Sequence, residues 1–78
     1  MALSDSDLEL LACMFRRKAM KSRHIPIEAI ARLCGTTQRS LKRQLKRLVR
    51  DGYVLQMKVR SYSLSGDGIR EAKRHLGI

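Results

Sequence analysis

The stretch GTTQRSLKRQLKRLVRDGYV, residues 35–54, decides how this chain is read. Thr37 is a natural N-cap, because its hydroxyl can accept from an amide that the first helical turn leaves free. Beyond it, Leu41, Leu45 and Leu48 recur at i, i+4 and i+7. At helical pitch they lie within about 60° of one another, which makes one apolar face. Arg39, Arg43, Lys46 and Arg50 cluster on the opposite side. With Lys42 and Arg47 they bring six bases and no acid between Arg39 and Arg50, and Asp51-Gly52 then stops the helix. A solvated surface helix normally mixes its charges. This one docks by its leucines and shows a surface of one sign, which suits a negatively charged partner.

Working outward, HIPIEAIARLCG (24–35) precedes it. Pro26 has no amide to donate and belongs at a helix start. Ile27, Ile30 and Ala31, with Leu33 or Cys34, make a short amphipathic helix that Gly35 can end in a left-handed turn. Ile25 can pair as a short strand ahead of it. Upstream, a first helix starts near Ser4 or Ser6, with Ser6 and Glu9 fitting the capping box. Its expected core face is Leu8, Leu11, Ala12, Phe15 and Ala19. A second apolar set, Leu3, Leu10 and Met14, points elsewhere. Either the last helix covers it or a second subunit does, and the expectation adopted is a homodimer through these three residues. The run RRKAMKSR (16–23) suits the negative end of a helix dipole. Downstream, YVLQMKVRSYSLS (53–65) alternates like two short strands with a turn within residues 58–61, and Tyr53 and Tyr62 read as core. Ser65 can cap a final helix with Ile69, Ala72 and Leu76 as its stripe and Arg70, Lys73 and Arg74 largely off it.

At 78 residues the chain is expected to be one domain, residues 1–78, with a single small core. Its net charge is +10, and the charge is unevenly placed. Residues 1–15 carry Asp5, Asp7 and Glu9 and no base, while residues 36–60 carry eight bases against Asp51 alone, a local +7. Such a field draws polyanions. Cys13 and Cys34 lack metal-ligand spacing, even with His24 and His75 added, and read as reduced packing thiols in the cytoplasm. The opening MALSDSDLEL is acidic, unlike a secretory leader, and no apolar run approaches the ~20 residues of a membrane span. Gly66-Asp67-Gly68 is too short for a phosphate loop.

These features weigh against the rival functions. No nucleophile, base and orienting acid fall together, so no enzyme, metal or cofactor is expected. RNA readers stack bases on exposed aromatics, and Phe15, Tyr53 and Tyr62 all look structural. A lipid surface would compete with the core for the leucine face. A protein-docking module need not carry the +7 patch.

The order helix, helix, short glycine turn, basic helix, hairpin, helix is carried by IARLCGTTQRSLKRQLKRLVRDGYV followed by YSLSGDGIREAKRHL. It resembles the winged helix-turn-helix domains of small MarR-like and ArsR-like transcription regulators over residues 7–76. The resemblance implies a mainly α fold with a small β-hairpin. It implies double-stranded DNA as partner, with the third helix in the major groove and a location on the nucleoid. It further implies base reading by Gln38, Arg39, Ser40, Lys42 and Arg43. Phosphate contacts would come from Thr37, Lys46, Arg47, Arg50, Lys58 and Arg60. The wing departs from the pattern, being short and without the usual Gly or Asp-Pro tip. No effector domain or ligand motif accompanies it. A coating protein that reads only the backbone is the alternative, against which the mixed polar start of the third helix argues.

Overall fold

The computed structural model describes residues 3–20 and 23–78; Lys21 and Ser22 of the basic run lie outside them. Its elements are α1 (Asp5–Arg16), β1 (Ile25–Pro26), α2 (Ile27–Leu33), α3 (Gln38–Arg50), β2 (Val54–Met57), β3 (Ser61–Leu64) and α4 (Gly66–Leu76). The strands form one antiparallel sheet in the order β1-β3-β2, with Ile25 opposite Tyr62 and Val54 opposite Leu64. The mainly α fold with a small hairpin expected from the sequence is the fold observed.

Local chemistry accounts for most boundaries. Thr37 caps α3 by accepting from the Ser40 amide at 3.2 Å, and Ser65 caps α4 through the Gly68 amide at 3.1 Å. Gly35 and Gly52 take the left-handed turns (φ 68° and 86°) after α2 and α3. Of the two expected starts of α1, Ser4 is the N-cap, and the capping box is Ser4 with Asp7 rather than Ser6 with Glu9, its two reciprocal bonds at 3.1 and 3.2 Å. An aspartate one methylene shorter than glutamate still spans a box when the serine stands three residues before it.

The buried face of α1 also differs from the expected one. Leu11, Ala12 and Ala19 are buried as expected, but Leu8 and Phe15 are only partly covered. Leu10 and Met14 are buried within this chain, at 5% and 1% exposure, in the same core as Leu41, Leu45, Leu48, Ile30 and Leu64. Leu3 packs against that core. Asp7, on the same side of α1, bonds Gln44 and Arg47 of α3, and Cys13 is joined to Cys34 at the end of α2, so the second apolar set is covered from inside. Leu10 and Met14 are therefore core residues and leave no free face for a second subunit.

The cysteines also depart from expectation. Cys13 of α1 and Cys34 at the end of α2 form a disulfide, with Cα atoms 6.0 Å apart, rather than two reduced thiols. Neither the i, i+4 pattern nor the spacing of 21 revealed that α1 and α2 converge there. Gly68 is the tightest contact of α4: a Cβ built on it would lie 2.0 Å from the Tyr53 carbonyl oxygen. Of the two glycines that invite a phosphate-loop reading, Gly68 thus serves close backbone packing, and Gly66 has no such neighbour.

Candidate nucleic-acid interface

The leucines of α3 settle which way its other side chains turn. Leu41, Leu45 and Leu48 are fully buried, so Arg39, Lys42, Arg43, Lys46 and Arg50 are forced to the outer half of the helix, where all five are exposed. Among the described residues Arg39, Lys42, Arg43 and Lys46 make no ion pair, and neither does Lys58 of the hairpin. Arg50 has Asp51 at 3.3 Å but stays largely in solvent. The outer face of α3 is therefore a band of unneutralised cations on a rigid, capped helix.

Beside this band runs a groove of about 590 Å³ lined by Ile27, Gln38, Arg39, Lys42, Val59, Arg60 and Tyr62. One wall is the start of α3 and the other is the hairpin, whose turn spans residues 58–60 between β2 and β3. Lys58 takes a left-handed backbone there (φ 60°), a conformation that costs a side-chain-bearing residue about 1–2 kcal/mol. Lys58 is exposed, next to Val59, the most exposed large apolar residue of the described chain at 80%.

Two expected phosphate contacts are instead engaged within the protein. Arg47 lies on the flank of α3 that faces α1, and its guanidinium meets the Asp7 carboxylate through both terminal nitrogens, at 2.7 and 2.8 Å. Asp7 is fully buried and also accepts from the Gln44 amide at 2.8 Å and the Ser4 backbone amide at 3.2 Å. The Arg47 guanidinium, helped by these other donors, holds the Asp7 carboxyl well below the usual carboxylate range against the opposing effect of burial. The Arg47 pKa is raised in turn, first through its hydrogen bonds to Asp7. Arg47 is thus a strut between α1 and α3. The sequence hid this because α1 and α3 are 40 residues apart at that contact.

Arg60 is the second. Its Nη2 lies 2.5 Å from Glu28 Oε2 and donates to Gln38 Oε1 at 3.3 Å, while its backbone carbonyl accepts from the Ile27 amide at 2.7 Å. The base of the hairpin, the start of α2 and the start of α3 meet at this one residue. Gln38 and Arg60 are brought together, and Arg39 and Lys42 line the same groove. Ser40 and Arg43 lie round the helix, over a small polar concavity shared with Ser4, Ser6 and Arg47. Thr37 spends its hydroxyl oxygen on the helix cap.

Other chemistries find little material. Among the described residues no three His, Cys, Asp or Glu side chains gather as a metal site, and no helix is long and apolar enough to cross a membrane.

A capped helix with an exposed basic face, following a short helix and a glycine turn and flanked by a hairpin, defines the winged helix-turn-helix fold. Solved structures share it. Over 96% of this chain it superposes on the multiple antibiotic-resistance repressor MarR from Listeria monocytogenes, with a TM-score of 0.76 at 17% identity. Ligand-free NadR matches over 92% of the chain, with a TM-score of 0.75 at 15% identity. The chain spans about half of each of those two chains, 51% in both cases. The DNA-binding fragment of TubR from Clostridium botulinum is matched almost end to end, with 96% of this chain on 99% of that one, a TM-score of 0.74 and 12% identity. No family model matches the sequence, and no curated protein does.

Proposed function

We propose that the chain binds double-stranded DNA in a sequence-dependent way and acts as a small transcription regulator. The observation that carries this reading is the run of free cations along the outer face of α3 beside the hairpin groove. In it, Arg39, Lys42 and Arg43 are available for base edges and Lys46, Arg50 and Lys58 for phosphates. Gln38 and Ser40 at the start of the helix add hydrogen-bonding groups that a purely charged surface would not need. Arginine grips guanine through O6 and N7, each such pair supplying about 1–3 kcal/mol of discrimination. Phosphate contacts set register and affinity. Arg47 and Arg60 are left out of the phosphate set, because each holds a carboxylate from another element at 2.7 and 2.5 Å, closer than the 3.3 Å contact of Arg50 with its neighbour Asp51.

The reading includes two copies on inverted half-sites, as two-fold regulators bind. Leu10 and Met14 are buried and not available to that contact, whereas Leu55 and Met57 of the hairpin and Ile78 after α4 are exposed. A location on the cytoplasmic nucleoid follows from the partner. The disulfide adds that the compartment must let a cysteine pair persist, as the cytosol of some thermophiles does.

The test is selection from a random duplex library at low and near-physiological salt. Enrichment of an inverted repeat is expected. Binding without enrichment that fades steeply with salt would instead define a protein that coats the backbone.

A further inference from the structure

The geometry points to Glu28 as a specificity-determining residue that acts through Arg60; the inference rests on the DNA-binding reading above. In a chain of net charge +10, an acid on the rim of the candidate interface works against affinity. Glu28 is exposed at the start of α2, and its carboxylate lies 2.5 Å from the Arg60 guanidinium. It occupies the place that a backbone phosphate would take on Arg60. A cation already paired releases no counterion when DNA arrives, so Glu28 removes one sequence-blind contact from the interface.

The same contact shapes the reader next to it. Arg60 Nη2 donates to the Gln38 side-chain carbonyl at 3.3 Å. A glutamine that reads adenine needs both its carbonyl and its amide, one for N6 and one for N7. With the carbonyl turned to Arg60 and one of its two lone pairs engaged, Gln38 presents its NH2 group foremost, which suits a base-edge acceptor such as guanine O6 or N7, or thymine O4. The backbone bond from the Ile27 amide to the Arg60 carbonyl, at 2.7 Å, anchors the base of the guanidinium's side chain beside α2. Glu28 thus orients Arg60, and Arg60 orients Gln38.

The experiment compares wild type, Glu28→Gln, Arg60→Ala and the double variant. Each is measured on the best duplex from the library and on an unrelated duplex, across a salt series. Glu28→Gln is expected to bind the unrelated duplex several-fold more tightly and to steepen the salt slope by about one unit as Arg60 becomes free for a phosphate. It should also shift the base preference at the single position facing Gln38 towards adenine. In the Arg60→Ala background the same substitution should do neither. An unchanged slope and base preference in Glu28→Gln would overturn the proposal, and so would equal changes with and without Arg60, since Glu28 would then act by direct repulsion of DNA. Wild type that binds no duplex at any salt would sink the DNA-binding reading itself, an outcome distinct from either. Glu28 is solvent-facing, and matched thermal unfolding of all four proteins confirms that the fold is common to them.

Discussion

At the scale of single residues, a positive charge in the sequence does not reveal its own task. Arg43 and Arg47 sit four apart on one helix, yet Arg43 is free while Arg47 is tied to a buried aspartate. Arg43→Ala is expected to relax preference at one base position by about 1–3 kcal/mol, whereas Lys58→Ala should weaken all duplexes alike and lower the salt slope by about one unit. Binding isotherms on matched and mismatched duplexes separate the two. For Asp7 the expectation concerns stability. Its carboxyl is far more acidic in the folded chain than in the unfolded one, so the pair contributes fully at neutral pH. That contribution drains away as pH falls below the unfolded value of about 4 and on towards the depressed folded value. Asp7→Asn should therefore cost about 2 kcal/mol at pH 7, and denaturant titrations should show the gap closing as the solution is acidified towards pH 3.

At the scale of elements, the helices and strands were legible wherever a short-range rule governs them. Thr37 and Ser65 were read as caps and Gly35 and Gly52 as stops, because each acts within three or four residues of itself. The leucine face of α3 was legible for the same reason. What was not legible depends on which elements meet. The core face of α1 was misread because α2 and α3 meet a second side of it, so that apolar residues all round a helix mark burial rather than an interface. The roles of Arg47 and Arg60 were misread because their acids, Asp7 and Glu28, come from other elements. The cysteine pair belongs here too, since it joins α1 to α2 just before the turn into α3. Closing a loop of this length stabilises a fold by about 3 kcal/mol when the unfolded chain is as constrained as the loop entropy implies. Reduction, or Cys34→Ser, should lower the denaturation free energy by that order, measured by urea titration with and without a dithiol.

For the whole molecule, the Cα radius of gyration is 10.9 Å. A single compact domain of this length is expected at about 11.5 Å. The chain therefore closes on one core that draws on all four helices and the sheet. A consequence is that Leu10 is inseparable from folding. Leu10→Asp should abolish the cooperative unfolding transition by circular dichroism, rather than turn a folded dimer into a folded monomer. A folded, monodisperse Leu10→Asp protein of halved mass on light scattering would contradict this. The breadth of the basic surface is also a property of the whole. Asp7 is spent on Arg47 and Glu28 on Arg60, so Arg39, Lys42, Arg43 and Lys46 on the outer face of α3 keep their charge.

The link between Cys13 and Cys34 also fixes how the chain can come apart. Stretched from its two ends, an oxidised molecule cannot pay out the segment between those residues, because tension passes across the sulfur bridge instead. With a separation of 21 positions, its fully extended length is shorter than that of the reduced chain by roughly 70 Å. The basic helix and the hairpin lie outside the ring, on the C-terminal tail. Tethered in an optical trap, the molecule would therefore reach its full contour in a single longer step after a reductant is added. That missing length measures the bridge directly, on one molecule at a time.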